Sequence, residues 1–275
     1  MLHSSPLTCS ANHSRITDSG YDRFVGTKKQ RLDVIITERG LVPSRARAQA
    51  LILAGKIRLN GEVESKAGTQ VDPEAAIEII EKDHPWVSRG ALKLVAALDE
   101  FDIDPAELDC LDVGASTGGF TDVLLERGAR RVIALDVGRG QLDWRLRNDP
   151  RVLVMEGVNA RHLGAETLPF SAALATVDVS FISLRLIVPA LLPHLAAEAW
   201  LICLVKPQFE AGREQVGKGG IVRDESIRRE TIDSTVRAIE DLGLEFVGLV
   251  ESPIRGQKGN LEELAVFRRP AGVKG

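Results

Sequence analysis

The sequence predicts an α/β protein in which a small α+β module precedes a larger domain built on a parallel sheet. From Leu108 onward, apolar runs of strand length alternate with helical segments, which is the pattern of a parallel sheet with helices on both faces. Before residue 81 the pattern differs, because two short helical segments are followed by short strands and a hairpin signal. The chain has 275 residues, 44% of them apolar, which is enough for two domains that each bury a core.

The N-terminal module is predicted to span residues 28–80. Gly40 ends its first helix, Ser44 is positioned to cap the second, and Gly55 ends that one. The dipeptide Asn60-Gly61 predicts a tight hairpin turn between the strands that follow. The predicted elements are helices from residue 31 and over 45–54, then strands over 57–59, from 62 onward and over 76–80.

Basic charge is concentrated in this module, although the whole chain carries a net charge of −4. Between Arg23 and Arg58 there are nine basic residues and two acids. Such a lopsided run favours a phosphate-rich partner over the alternative of a solvated basic face. Residues 1–27 are polar and lack the apolar stretch of a secretory signal, so we predict a disordered extension there and a linker over 81–89.

The C-terminal domain is predicted to span residues 90–270. A helix that starts near Gly90 carries Lys93, and Ser88 is expected to cap it. The last two strands are close in sequence, which predicts an antiparallel pair. The predicted strands cover 108–113, 131–136, 152–156, 173–179, 199–205, 245–251 and 262–268, and the helices lie near 121–127, 141–147, 187–197 and 224–242.

A glycine-rich turn follows the first strand of this domain. Glycines let the backbone approach a ligand, and the helix after them offers unpaired N–H groups. Asp136 ends the next strand about twenty residues on, where a carboxylate can accept from ribose hydroxyls. Because a serine replaces the second glycine of the dinucleotide pattern, the turn favours the methyl donor S-adenosylmethionine over NAD. The residues predicted to bind the cofactor are Asp112, Gly114, Ser116, Gly118, Gly119, Phe120, Asp136 and Asn159.

Four ionisable residues are predicted to lie at or near the carboxyl ends of the strands, where parallel sheets place active sites. They are Lys93, Asp178, Lys206 and Glu262. Lys206 directly follows an apolar strand, and a buried ammonium there needs either an anionic neighbour or a chemical task. Pattern alone leaves a structural salt bridge and a catalytic role equally open. The task would be methylation of a ribose 2′-hydroxyl, which a lysine assists as a base or by stabilising the oxyanion.

Other classes of site and protein are disfavoured. The cysteines, Cys9, Cys110 and Cys203, follow no metal-binding spacing and the five histidines are scattered, so we expect no metal site. Cys110 and Cys203 lie in apolar runs and are predicted to be buried thiols of a protein in the reducing cytoplasm. No apolar run reaches the ~18 residues of a membrane span.

The motifs and their order resemble the TlyA/hemolysin A family of ribosomal RNA 2′-O-methyltransferases, whose catalytic half is similar to the FtsJ methyltransferases. The motifs are Val87-Ser-Arg-Gly90 with Ala91-Leu-Lys93, Leu111-Asp-Val-Gly-Ala-Ser-Thr-Gly-Gly-Phe120, Asp178-Val-Ser-Phe-Ile-Ser183, Val205-Lys206-Pro-Gln-Phe-Glu210 and Gly259-Asn260-Leu-Glu262. The N-terminal module is similar to an S4 RNA-binding domain at Arg31-Leu-Asp33, Ser44-Arg45, Ala54-Gly55-Lys56 and Asn60-Gly61.

The resemblance implies a Rossmann-like class I methyltransferase that uses S-adenosyl-L-methionine to methylate a cytidine ribose in ribosomal RNA, in one or both ribosomal subunits. The family's catalytic tetrad would be Lys93, Asp178, Lys206 and Glu262. Contacts to RNA are expected at Arg31, Arg45, Arg47, Lys56 and Arg89.

The glycine-rich segment 210–223 is expected to be a mobile loop that closes on RNA or cofactor. Three alternatives stay open at this point: a non-catalytic RNA-binding or ribosome-assembly factor, a membrane-active hemolysin, and a pseudouridine synthase, which the alternation of strands and helices disfavours. No protein partner can be deduced.

Overall fold

The computed structural model describes residues 29–42, 44–80, 84–164, 166–256 and 259–271. The predicted extension over 1–27 and the first residues of the predicted linker lie outside the described residues. The chain divides between residues 83 and 84 into two compact units, here called the N-terminal and the C-terminal unit.

The N-terminal unit consists of two helices and short antiparallel strands around a small apolar core. Ser44 Oγ accepts a hydrogen bond from Arg47 N at 3.3 Å and caps the second helix, as predicted. Asn60 and Gly61 both have positive φ and form the predicted hairpin turn. The elements are β1 (Gln30–Arg31), α1 (Leu32–Glu38), α2 (Arg45–Leu53), β2 (Ile57–Leu59), β3 (Glu62–Val63), β4 (Gln70–Val71) and β5 (Ile77–Ile79).

Strands β3, β2 and β5 form one sheet, and β1 pairs with β4 in a second. The sequence did not predict the second pair, because strands of two residues are too short to show an alternating pattern. Side chains of both helices and of β2 form the core, among them Leu32, Ile36, Ile52 and Ile57.

The C-terminal unit has the predicted α/β architecture. Its elements are α3 (Ala91–Glu100), β6 (Asp109–Val113), α4 (Gly119–Glu126), β7 (Arg131–Asp136), α5 (Trp144–Arg147), β8 (Val152–Glu156), β9 (Ala172–Val177), α6 (Leu184–Leu191), β10 (Leu195–Val205), α7 (Pro207–Glu210), α8 (Glu225–Glu240), β11 (Glu245–Glu251) and β12 (Glu263–Arg268). Side chains of α3 and α4 pack on one face of the sheet and those of α6 and α8 on the other.

The seven strands follow the order β11-β12-β10-β9-β6-β7-β8. Pairing is parallel from β10 to β8, and β12 is antiparallel to both β10 and β11, which confirms the predicted antiparallel final pair. From β6 the chain continues to β7 and β8 on one side of the sheet, and then returns to form β9 on the other side of β6. Ligands bind in open α/β sheets at such a reversal, next to the carboxyl ends of the strands.

Three local predictions were wrong. Ser88 does not cap α3 with its side chain: Ala91 N donates to the Ser88 backbone oxygen at 3.2 Å instead. The helix predicted near 141–147 is a single turn, Trp144–Arg147. It begins later than predicted because Asp143 caps it, with Arg145 N donating to the Asp143 carboxylate at 2.9 Å.

The helix predicted over 187–197 begins earlier, after the cap at Ser183, and ends at Leu191. Residues from Leu195 onward join β10, since pairing with β9 outweighs their helical propensity. Cys110 and Cys203 are both buried free thiols, as predicted. Among the residues that the structure describes, no helix combines the length and apolar character that crossing a bilayer requires.

Candidate active site

Three cavities open at the carboxyl edge of the sheet, and Gly114, Ser116 and Asp178 line all three. The large cavity has a volume of about 430 Å³ and is also lined by Asp136, Val137 and Asn159. The small cavity, of about 120 Å³, extends toward Ser88, Gly90 and Phe120. The tetrad cavity, of about 210 Å³, is lined by Lys93, Lys206, Glu262 and their neighbours. The glycine turn after β6 is therefore the point at which the three cavities meet.

The glycines of this turn have different neighbours. Gly114 has φ +85°, and a Cβ on it would lie 2.4 Å from the backbone oxygen of Asp178, so only glycine lets the ends of β6 and β9 approach. A Cβ on Gly118 would overlap Leu146, and one on Gly119 would lie 2.4 Å from Ser88 Oγ. These two glycines therefore allow close packing against protein, and of the two only Gly119 also lines a cavity.

The two acids predicted to bind the cofactor lie in different environments. Asp136 lines the large cavity, and its carboxylate accepts from Ser116 N at 2.8 Å and Gly138 N at 2.6 Å. Asp112 is fully buried, and its two oxygens accept from Thr121 Oγ1 at 2.6 Å and Thr176 Oγ1 at 3.1 Å. Burial raises the pKa of Asp112 to about 6. Asp112 lines none of the three cavities.

The four predicted reactive residues, far apart in sequence, come together in the tetrad cavity. Lys93 Nζ lies 2.6 Å from Glu262 Oε2, and Lys206 Nζ lies 2.6 Å from Asp178 Oδ1. Lys206 Nζ also donates to Ser180 Oγ at 3.0 Å. Lys93, Lys206 and Glu262 are buried, and Asp178 is half-buried. Lys206 thus forms the ion pair that a structural role would require. Its partner, Asp178, is another of the four predicted residues.

The fold explains this convergence. Asp178 follows β9 and Lys206 follows β10, which are parallel neighbours. In the antiparallel pair of β10 and β12, Val205 is paired with Glu263, so Lys206 and Glu262 continue the two strands side by side. Lys93 reaches the cavity from the first turn of α3.

The segment ahead of α3 is fixed to α4 by two hydrogen bonds. Val87 N donates to Asp122 Oδ2 at 2.8 Å, and Trp86 Nε1 donates to Glu126. Together with the close packing at Gly119, these contacts hold the start of α3 against the glycine turn.

Several residues around the cavity were not predicted to have a role. The Glu210 carboxylate accepts from Ser183 Oγ at 2.5 Å and Leu184 N at 2.8 Å, which ties the end of α7 to the start of α6, and burial raises the pKa of Glu210. Ser180 and Gln208 also line the tetrad cavity. Ser180, Gln208 and Glu210 belong to motifs visible in the sequence, which is the signal that could have found them.

The glycine-rich segment 210–223 is fastened at its far end. Asn260 Nδ2 donates to Gly220 O at 2.9 Å, and Asn260 Oδ1 accepts from Val222 N at 3.2 Å. Its predicted closure on a ligand stays a prediction. Beside Asn260, a Cβ on Gly256 would lie 2.0 Å from Glu262 Oε1, so this glycine makes room for the carboxylate.

In the N-terminal unit, a buried acid organises two of the arginines expected to contact RNA. Asp33 accepts from Arg31 Nε at 3.0 Å, from Arg45 Nε at 2.9 Å and from Gln49 Nε2 at 2.7 Å. The hydrogen bond from Arg31 is the main reason that the pKa of Asp33 lies well below its usual range. Both arginines remain partly exposed, as do Arg47 and, to a lesser degree, Lys56. Arg89 is a partly exposed residue of the C-terminal unit.

Comparison with known proteins agrees with this architecture. Residues 86–269 match the FtsJ-like methyltransferase family, and residues 30–77 match the S4 domain. The chain is 47% identical over 236 residues to the 16S/23S rRNA (cytidine-2′-O)-methyltransferase TlyA of Mycobacterium tuberculosis, covering 86% of this chain and 88% of that protein. It is 44% identical over 241 residues to Hemolysin A of Brachyspira hyodysenteriae, covering 86% and 99% of the two chains.

A solved structure described as a hemolysin from Streptococcus thermophilus has a TM-score of 0.70 and 42% identity, covering 89% of this chain and 90% of that one. The seven-stranded sheet, the two matched domains and these relatives lead to one conclusion. The chain belongs to the TlyA/hemolysin A family, in which an S4 domain precedes an FtsJ-like methyltransferase domain.

Proposed function

We propose that this protein transfers the methyl group of S-adenosylmethionine to the 2′-oxygen of a cytidine ribose in ribosomal RNA. The observation that carries the proposal is the meeting of three cavities at Gly114, Ser116 and Asp178. Two of these cavities suit the two ends of a cofactor, and the third holds two lysines and two carboxylates. The junction is where a methyl group would pass from donor to acceptor.

The residues present fit the cofactor. Gly114 brings the ends of β6 and β9 together and its backbone lines all three cavities, so a ligand can lie against the turn. Asp136 and Asn159 would hold the adenosine part in the large cavity, with the Asp136 carboxylate as acceptor for ribose hydroxyls. Ser116, Gly119 and Phe120 would border the methionine part in the small cavity. When bound, the cofactor supplies a methyl group already activated on a sulfonium.

The tetrad would prepare the acceptor oxygen. A ribose 2′-hydroxyl is a weak acid whose proton must pass to a base, either a lysine of the tetrad in its neutral form or water. An ammonium near the hydroxyl would stabilise the negative charge that develops on its oxygen as the proton leaves. Glu262 orients Lys93, and Asp178 with Ser180 orients Lys206, which fixes both ammonium groups before the substrate arrives. Burial strengthens these electrostatic contacts by excluding water.

The RNA part of the proposal rests on the S4 domain and on the relatives. Asp33 holds the Arg31 and Arg45 guanidinium groups in fixed orientations, which suits them to binding phosphates. The M. tuberculosis relative is named for cytidine 2′-O-methylation of both 16S and 23S rRNA. We extend this substrate to the present chain, and with it a cytoplasmic location.

Methyl transfer from labelled S-adenosylmethionine to separated small and large ribosomal subunits tests the proposal. We expect label in at least one subunit, on a cytidine 2′-oxygen that can be mapped on the rRNA. The Lys206→Ala variant should bind the cofactor and lose the transfer, with thermal unfolding as the control for an intact fold. An intact wild-type protein that binds the cofactor and labels neither subunit would contradict the proposal.

A further inference from the structure

Gln208 places a buried hydrogen-bond acceptor in the wall of the tetrad cavity. Its Oε1 atom is buried and accepts no hydrogen bond from any residue that the structure describes. Leaving such an acceptor unsatisfied costs stability. Because the Gln208 side chain lines the tetrad cavity, a hydrogen-bond donor on a ligand bound there would satisfy it.

The orientation of the Gln208 amide is determined by its neighbour. Gln208 Nε2 lies 3.4 Å from Glu262 Oε1, while Glu262 Oε2 is paired with Lys93. A carboxylate oxygen accepts hydrogen bonds and does not donate them, so the NH₂ group must face Glu262. The opposite side of the amide therefore presents only an acceptor.

Gln208 also lines a second cavity that adjoins the tetrad. This outer cavity has a volume of about 530 Å³ and is lined by Phe181, Gln208, Phe209, Ala211 and Val216. The rings of Phe181 and Phe209 lie 5.0 Å apart between centroids. The two cavities share Phe181, Gln208 and Phe209. A nucleotide with its ribose at the tetrad would thus have its base beside an aromatic wall and one acceptor.

We propose that Gln208 Oε1 reads the exocyclic amine of the target base and makes the enzyme select cytidine over uridine. This inference rests on the proposed function, since it needs the 2′-oxygen of the target to lie at the tetrad. Cytosine carries an amine donor at C4, where uracil carries a carbonyl acceptor. Gln208 Oε1 would accept a hydrogen bond from the amine of cytosine and would repel the carbonyl oxygen of uracil.

A wrong base in the site would leave buried polar groups unpaired, and for this reason discrimination of this kind is strong. We expect the wild-type enzyme to prefer cytidine over uridine by about 10- to 100-fold in kcat/KM. The same acceptor would tolerate the amine of adenine and disfavour guanine. The amide thus reads the polar pattern of the base edge, while the aromatic wall contacts any base.

The experiment uses ribosomal subunits that carry either cytidine or uridine at the methylated position mapped as above. The full-length wild type is compared with Gln208→Met, which keeps the length of the side chain and removes both polar atoms. Gln208→Ala serves as a second variant. The control is Gln70→Met, an exposed residue of β4 in the N-terminal unit. Cofactor binding and thermal unfolding confirm that each protein is folded.

We expect the cytidine-to-uridine ratio of kcat/KM to fall at least about tenfold in both Gln208 variants and to stay unchanged in the control. Loss of rate by the same factor on both substrates would overturn the inference, because Gln208 would then act only by supporting Glu262. Absence of transfer by the wild type to native subunits would be a failure of the proposed function. The two failures are therefore distinguishable.

Discussion

The carboxylate of Asp112 offers a test of how the glycine turn is built. The sequence places this acid among the cofactor ligands, whereas the structure buries it between Thr121 and Thr176, away from the three cavities. Replacing Asp112 by asparagine keeps the size of the side chain and its ability to bond with two hydroxyl groups. It removes the charge that burial penalises.

The magnitude follows from the pKa of Asp112. The folded protein binds this proton with a pKa of about 6, and an unfolded chain with a pKa of about 3.9. Between these values the folded state holds more protons, so the free energy of unfolding falls as pH rises. Two pKa units at 1.36 kcal/mol each correspond to a full loss of ~3 kcal/mol. About 2 kcal/mol of it falls between pH 4 and pH 7, because the unfolded chain is already about half ionised at pH 4. The amide of the Asp112→Asn variant cannot ionise, so the variant is spared this loss.

The assay is urea unfolding of wild type and Asp112→Asn at a series of pH values from 4 to 8. All three tryptophans, Trp86, Trp144 and Trp200, belong to the C-terminal unit, so their fluorescence follows the unit that contains Asp112. Subtracting the two curves removes the titrating groups that do not interact with Asp112. The difference, variant minus wild type, should rise by ~2 kcal/mol between pH 4 and pH 7 and level off above pH 7.

Two results would refute this reasoning about Asp112. A difference that stays flat between pH 4 and pH 7 would mean that its carboxylate is not penalised by burial. Loss of S-adenosylmethionine binding by a folded Asp112→Asn protein at pH 8 would return Asp112 to the cofactor ligands, as the sequence predicts. We expect the binding to be unchanged.

Three further predictions concern reaction geometry and RNA. Lys206→Arg keeps the positive charge but cannot act as a base at neutral pH. If Lys206 acts through its charge, this variant should retain measurable methyl transfer, whereas Lys206→Ala should lose on the order of 10²- to 10³-fold in rate. Equal losses of rate in the two variants would contradict a role through charge. Gly256→Ala should lower kcat on the order of 10²-fold, because its methyl group displaces the Glu262 carboxylate. Gly164→Ala is the control and should have a near-normal kcat in the same turnover assay, since its added methyl group meets its nearest neighbour at 3.4 Å. Arg47→Glu should weaken RNA binding and flatten the dependence of log K on log salt by about one; an unchanged slope in a filter-binding titration would remove Arg47 from the phosphate contacts.

The positions of three of the four tetrad residues could be predicted because they obey a rule that sequence displays. Strand ends can be located from apolar runs, and parallel strands place their carboxyl ends at one edge of the sheet. Asp178 and Lys206 each stand directly after such a run. Glu262 follows from the antiparallel last strand, which brings its start back to the same edge.

The roles of the glycines could not be predicted, because they depend on residues from other elements. Gly118 contacts Leu142 and Leu146, and Gly119 contacts Ser88, which precedes it by thirty-one positions in the sequence. A glycine pattern shows where the backbone must be unhindered, but not whether a ligand or a side chain takes the space. The same limit applies to Asp33, which sequence counts merely as one acid among nine basic residues.

The sequence leaves two roles equally open for Lys206, a structural ion pair and a catalytic lysine. In the structure both roles depend on the same arrangement of charges. A buried ammonium needs a partner, and Asp178 provides it at 2.6 Å. The same pairing occurs between Lys93 and Glu262, so two cations and two anions share the cavity without net charge. Such a cavity can be kept dry at lower cost than one that holds a single charge. On the proposed function, the ion pairs are what would allow two lysines to be held at one reacting oxygen, so a structural and a catalytic role of these four side chains are compatible.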